Sequence, residues 1–306
     1  MDRRNFFGKA LGLGAATAFN FKGFDIVAKS SPKASEKIND LVEWNVHFFS
    51  SDTKKYPFHR DATYKPDASK FPKDPLKTYL SHLDKEGIGR GVVVQPEPYG
   101  DDHSLLLDCL EKEPSRLRGT SLFYPKDSLA PMKLASLVRA HPEIVATRFH
   151  AHRGKESYLD SFADSGVRAL WKQAVDLDII IELHIGPNYA RQVRKAIEAF
   201  PGCKVLIDHF AEPHMGDAVE FAHVLALAEL PNVYMKFSGL GHFADDSPDY
   251  TSARPFTRQV LQAFGPDKMV MGGVSLNTID VHMKDYSEEE KSKVTGKNIL
   301  KLLSWN

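Results

Sequence analysis

Four short apolar runs in this chain, residues 41–49, 147–152, 179–187 and 205–213, each end in a polar tip, and most of those tips carry histidine. Polar groups at the end of a buried strand cost free energy unless something pairs with them, so packing alone does not explain the pattern. Where such runs alternate with helical patterns, they read as parallel strands whose carboxyl ends converge on one site. Eight strand segments follow one another at 41–49, 91–95, 119–123, 145–150, 179–184, 204–209, 233–238 and 268–272. Helical patterns follow them at 76–86, 105–112, 132–140, 166–176, 189–200, 218–229, 256–264 and 288–303. The expected architecture is a single α/β domain over residues 36–306, a (β/α)8 barrel of the TIM type with its chemistry at the carboxyl ends of the strands.

A chain of 306 residues with 42% apolar content can bury such a core. Lys plus Arg and Asp plus Glu both number 40, so no net field draws in nucleic acid or an anionic membrane surface, and a small molecule is the expected partner. The only cysteines, Cys109 and Cys203, supply neither a disulfide framework nor a Cys-x-x-Cys metal pattern. At the amino end, Arg3 and Arg4 precede Asn5, Phe6, Phe7, Gly8 and Lys9, and a weakly apolar run follows over residues 10–19. That order reads as a twin-arginine export signal over residues 1–35 with its linker, and it places the mature chain in the periplasm or outside the cytoplasm. The run is shorter than the roughly 20 residues a spanning helix needs, so no stable membrane anchor is expected.

A period of two along the first strand puts Glu43, Asn45 and His47 on one face, and the same period aligns Arg148 with His150 and Glu182 with His184. His47, His184 and His209 then stand at the tips of the first, fifth and sixth strands, where three neutral imidazoles can hold a divalent ion such as zinc or manganese with a position open for water. Taken singly, a histidine at a strand end is more often a hydrogen-bonded structural residue. Arg148 offers a fork for a substrate carboxylate, or else a salt bridge to Glu182 or Glu43. Glu182 is a candidate general base, or the partner of Arg148. Lys236 is expected to snorkel from the rim, and Asp208 to point into the strand–helix layer as an orienting or capping group. Tyr64, on the long loop over residues 50–74, and Gln95 are candidate substrate contacts together with His150, or rim residues.

The segment Glu43-Trp44-Asn45-Val46-His47, the loop Tyr56-Pro57-Phe58 continuing to Tyr64-Lys65-Pro66-Asp67-Ala68, and Gly91-Val92-Val93-Val94-Gln95 resemble one known family. So do Arg148-Phe149, Ile207-Asp208-His209, Lys236-Phe237-Ser238-Gly239 and Asn298-Ile299-Leu300-Lys301-Leu302. It is the amidohydrolase-related superfamily, in the branch that includes pyrone-dicarboxylate lactonase and similar lactone or carboxylic-ester hydrolases. The resemblance implies a hydrolase in which His47 and His209 bind a carbonyl oxygen without a metal and Arg148 holds a carboxylate. Its metal-dependent branch implies instead His47, His184 and His209 as ligands. Two positions depart from the family. Asn45 stands where the first histidine of a His-x-His pair is expected, and Gly272-Gly273-Val274-Ser275-Leu276 replaces a tip whose Asp takes the proton from water. Either another group, Glu182 or His47, serves as base, or the chain is a catalytically silent protein that binds a carboxylated ligand.

Overall fold

The computed structural model describes residues 39–151 and 158–305, so the proposed export signal lies outside the described residues. The elements described here all belong to the unit spanning residues 38–306. They alternate strictly at first: β1 Val42–Val46, α1 Pro75–Glu86, β2 Arg90–Val94, α2 Ser104–Lys112, β3 Leu117–Leu122, α3 Ala130–Ala140, β4 Ile144–His150 and α4 Ser165–Asp176. The order continues through β5 Ile180–His184, α5 Ala190–Ala199, β6 Val205–Ile207, α6 Ala218–Ala226, β7 Val233–Phe237, α7 Arg254–Phe264 and β8 Met269–Met271. All eight strands are parallel and lie in the order β1 to β8, the arrangement of a TIM-type barrel, with β8 brought back against β1.

Local chemistry explains the boundaries. α1 starts where the Asp74 carboxylate accepts from the Lys77 N–H, has Pro75 in its first turn, and stops at Gly87 with φ +67°. α6 carries a reciprocal capping box between Asp217 and Glu220. The terminal helix expected over residues 288–303 is in fact α9 Glu288–Ser292, a π turn Lys293–Lys297, and α10 Asn298–Leu303. An additional short helix, α8 Leu276–His282, follows β8 and is capped by Ser275; its polar sequence carries too weak an apolar period to announce it.

Along the barrel axis the inward side chains form an apolar floor: Val42, Trp44, Val92, Val94, Ala146, Ile180, Leu206 and Val270 cluster together with Ile299 and Trp305. Trp305 closes the amino-terminal end, with the Arg118 and Arg90 guanidinium groups 4.4 and 5.5 Å from its ring. The outward residues Ile181, Leu183, Val205, Ile207, Met235, Phe237, Met269 and Met271 join the layer under the helices. The long loop after β1 is tied down by several contacts. Phe49 stacks on Phe71 with centroids 4.6 Å apart, Tyr56 Oη donates to Asp108 (2.6 Å), and the His59 N–H reaches the Pro98 carbonyl (2.7 Å).

Two departures from simple alternation matter for the site. In β1, Trp44 pairs with Val92 and Val46 with Val93, so a bulge inserts Asn45. Glu43 accordingly does not share a face with Asn45 and His47: it turns outward to α1 and accepts from Tyr79 Oη (2.7 Å), while Asn45 reaches the interior Lys236. At the opposite seam, a Cβ on Gly272 would lie 2.2 Å from the Trp44 carbonyl oxygen, so the β8 tip approaches β1 only because this residue has no side chain. Gly272→Ala is therefore expected to cost roughly 1–3 kcal/mol, read as a lowered urea midpoint at unchanged slope; an unchanged midpoint would show that the seam relaxes freely.

Candidate active site

Above the apolar floor, the inward positions become charged. Arg148 of β4 and Glu182 of β5 are register partners, and Asp208 and Lys236 extend the same layer from the ends of β6 and β7. Arg148 directs its Nε (2.8 Å) and its Nη2 at Asp208 Oδ2, and the Nε also lies 3.3 Å from Glu182 Oε1. Lys236 Nζ bridges Glu182 Oε1 (2.9 Å) and Asp208 Oδ1 (2.6 Å). Trp44 Nε1 (2.7 Å) and Thr120 Oγ1 (2.9 Å) donate to the other Glu182 oxygen. All four charged side chains are buried, and their formal charges cancel.

This network corrects several expectations. Lys236 does not snorkel to the rim; it is wholly buried between two carboxylates. Asp208 points into the barrel, because Leu206 two residues earlier is the inward residue of β6. The Arg148 guanidinium is engaged through Nε and Nη2 by Asp208 and through Nε by Glu182, which is the salt-bridge alternative. With donors on both of its oxygens, Glu182 has no acceptor to spare for a water proton. Burial would raise Asp208, but the adjacent Arg148 and Lys236 charges outweigh it and hold the carboxyl below its usual range. Burial and the charge of Asp208 push Glu182 the other way, upward.

The histidines sit on this charged layer. His209 is brought inward by an unusual turn: His209, Phe210, Ala211 and Glu212 have φ of +51°, +57°, +58° and +51°. The left-handed turn is closed by N–H bonds from Ala211 to the Asp208 carbonyl (2.8 Å) and from Glu212 to the His209 carbonyl (2.9 Å). Each such residue costs roughly 1–2 kcal/mol relative to a right-handed conformation. Phe210 offsets part of that cost by burying its ring against Phe237 and Phe243. Gly239, itself at φ +68°, makes room: a Cβ there would lie 2.6 Å from the His209 ring.

The turn also delivers Glu212, which the sequence reading missed. Its buried carboxylate accepts at Oε1 from His184 Nε2 (2.7 Å) and from His242 Nδ1 (2.8 Å). Its Oε2 has no hydrogen bond among the described residues and lies 3.7 Å from His214 Nδ1. One donor atom each of His184, His209, Glu212 and His242 all fall within 4.8 Å of one another, a group able to hold a metal ion. Of the three ligands expected, His184 and His209 are in it. His47 is not; its Nδ1 lies 2.8 Å from the Val94 carbonyl and must donate to it. Glu212 and His242 lie beyond strand tips in stretches with no periodic signal, which is why no motif disclosed them.

Burial, reinforced by the Arg148 and Lys236 charges, pushes His47 down to about 3. His209 is held well below its ordinary value by burial, His242 and the same two cations. Both rings are therefore neutral near pH 7. His150 pairs in register with His184 and lies beside it, ring centroids 5.1 Å apart. Tyr64 is half-buried and near enough to Arg148 to influence its ionisation. Gln95, in contrast, spends its amide on the Gly100 and Asp102 carbonyls (3.1 and 2.7 Å), holding the loop after β2 rather than facing a substrate. Val274 is partly buried against the helix-side core.

Comparison with known proteins gives the family and the fold. The sequence model of the Amidohydrolase family matches residues 44–273. The chain is 26% identical over 233 residues to a 4-sulfomuconolactone hydrolase of Hydrogenophaga intermedia, covering 75% of this chain and 73% of that protein. It is 27% identical over 214 residues to an L-fucono-1,5-lactonase of Burkholderia ambifaria, covering 67% and 71%. Its fold matches the crystal structure of a probable 2-pyrone-4,6-dicarboxylic acid hydrolase from Acinetobacter baumannii with a TM-score of 0.71 at 20% identity, covering 87% of this chain and all of the other. It also matches a zinc-bound amidohydrolase from Burkholderia multivorans, with a TM-score of 0.69 at 14% identity over 86% of this chain and 99% of that one.

Two outcomes follow from the site's electrostatics. Lys236→Met leaves Glu182 and Asp208 short of a buried cation and is expected to cost roughly 3–5 kcal/mol, measured by chemical unfolding. Because the folded His47 resists a proton that the unfolded chain accepts below pH 6.5, its share of stability is lost as pH falls from 6.5 toward 3. The acid loss of stability is accordingly shallower in His47→Gln than in the wild type; identical pH profiles would contradict the depressed value.

Proposed function

The chain belongs to the amidohydrolase family, and from that membership we propose that it hydrolyses a lactone or carboxylic ester of a small carboxylated compound. The observation that carries this reading is the Glu212 carboxylate, buried at the carboxyl ends of the strands, with two imidazoles on one oxygen and the other oxygen open to a further donor. Relatives named 4-sulfomuconolactone hydrolase and L-fucono-1,5-lactonase support a cyclic ester as the substrate class.

Ester hydrolysis needs a proton acceptor for the attacking water, stabilisation for the oxyanion, and a proton for the departing alkoxide. In the site without a cation, Glu212 Oε2 takes the water proton as the oxygen adds to the acyl carbon, and returns it to the alkoxide when the carbon–oxygen bond breaks. His184 and His242 hold the carboxylate in place through Oε1. His209 contributes through the ring nitrogen that Ser238, 2.7 Å from its Nδ1, leaves unengaged. With its proton on Nδ1, His47 presents an acceptor at Nε2, suited to a substrate hydroxyl rather than to a carbonyl oxygen. A divalent cation bound by the histidine–glutamate group would add polarisation of the carbonyl and acidification of water.

Purified protein assayed against a panel of lactones, esters and amides, with and without zinc or manganese, is expected to turn over a lactone or ester. Glu212→Gln and His209→Ala should each lower kcat by about a hundredfold or more. Failure on every member of the panel would overturn the reading. The loss of the usual strand-eight carboxylate at Val274 favours a second reading, a protein that binds a carboxylated ligand without turning it over; turnover abolished by His209→Ala would dismiss it. The Arg3-Arg4 leader supports action outside the cytoplasm, and a fusion of residues 1–40 to a reporter is expected to be exported.

A further inference from the structure

We propose that His209, Glu212 and His242 form a three-ligand site for one zinc-class divalent cation, with His184 as the residue that orients Glu212 rather than as a ligand. The site therefore lies at the tips of β6 and β7, and not at the β1, β5 and β6 set that the sequence suggested. The proposal needs no particular substrate, because it concerns binding of the cation alone.

Protons on the imidazoles decide which of the four clustered residues can ligate. A ligating imidazole offers a lone pair at one nitrogen and commonly donates its other N–H to an acceptor. His184 cannot meet that requirement. Its Nδ1 lies 3.2 Å from Arg148 Nη2, and a guanidinium nitrogen only donates, so Nδ1 must be the acceptor and Nε2 must carry the proton. Moving that proton to Nδ1 would set two donors against each other, and Arg148 is held where it is by Asp208 and Glu182. His184 Nε2–H is thus committed to Glu212 Oε1 at 2.7 Å, the hydrogen bond that a ligating carboxylate normally receives.

The other three residues do fit. His209 Nδ1 faces Ser238 Oγ at 2.7 Å, a hydroxyl that can accept the N–H and free Nε2 as a lone pair. His242 is about one-fifth exposed, so its Nε2 can carry the proton while Nδ1, now 2.8 Å from Glu212 Oε1, turns its lone pair to the ion. Glu212 supplies a charged oxygen from the left-handed turn. Two imidazoles, one carboxylate and an open fourth position form the ligand pattern of a catalytic zinc.

The test is zinc binding by the full chain, stripped with chelator and titrated calorimetrically, with the cobalt derivative's visible spectrum as a second readout. One equivalent is expected to bind to the wild type and to His47→Ala with like affinity. Binding should be at least a hundredfold weaker in Glu212→Gln and His242→Ala, and tenfold to a hundredfold weaker in His184→Ala, the range typical of groups behind a ligand. The zinc-induced rise in thermal midpoint should disappear in His242→Gln, which checks the assignment if the alanine variant folds poorly. No stoichiometric zinc on the wild type, equal affinity in all variants, or loss in His47→Ala with retention in His242→Ala would each overturn the site.

Discussion

Two cations and two anions buried inside the barrel determine how the rest is arranged. Any one of Arg148, Glu182, Asp208 and Lys236, left alone in an interior closed by Trp44 below, would carry a prohibitive desolvation cost. Each comes from a different strand or strand end, β4 through β7, so satisfying all four at once fixes the relative heights of those elements. Trp44 from β1 and Thr120 from β3 complete the shell of Glu182. An apolar layer of equal volume could be as stable; what it could not provide is directional pairing between named positions, or the Arg148 and Lys236 charges beside the histidines. Those two cations reinforce burial in lowering the pKa values of His47 and His209.

The left-handed turn from His209 to Glu212 converts this rigid layer into a site. Strand alternation allows only every second residue to face inward, and β6 uses its inward positions on Leu206 and Asp208. Another inward side chain directly after Asp208 requires the backbone to leave the strand geometry, and four consecutive positive φ values accomplish that. The strain is local and is held in place by the buried Phe210 ring and by the glycine that abuts His209. Strained backbone of this kind persists where surrounding packing determines it fully, and such places are concentrated at functional sites.

The sequence disclosed the repeating strand–helix order because apolar runs and helical periods are strong local signals. It was less informative about phase. The β6 stretch Val205-Leu206-Ile207 is apolar on both faces, so periodicity could not tell whether Asp208 or His209 pointed inward. In β1 the bulge at Asn45 separates Glu43 from the face of His47, and no residue type announces a bulge of that kind. Lys236 was misjudged for a related reason: an isolated lysine near a strand end belongs at the rim unless two carboxylates from other strands meet it, and those partners lie 54 and 28 residues away in the chain. Glu212 and His242 were invisible because their convergence depends on turn geometry, not on spacing.

The two departures from the family pattern become related once Glu212 is placed. A strand-eight carboxylate would stand beside β1, near the position taken by Asn45, which lies next to Gly273. Without that carboxylate, a histidine at position 45 would have no anionic companion and would face the Lys236 ammonium, to which the amide oxygen of Asn45 is the nearer match in charge. Glu212 brings a negative charge to His184 and His242 from the turn after β6. On the proposed function it is this turn, and not the β8–β1 seam where Asn45 and Val274 stand, that supplies the carboxylate of the site.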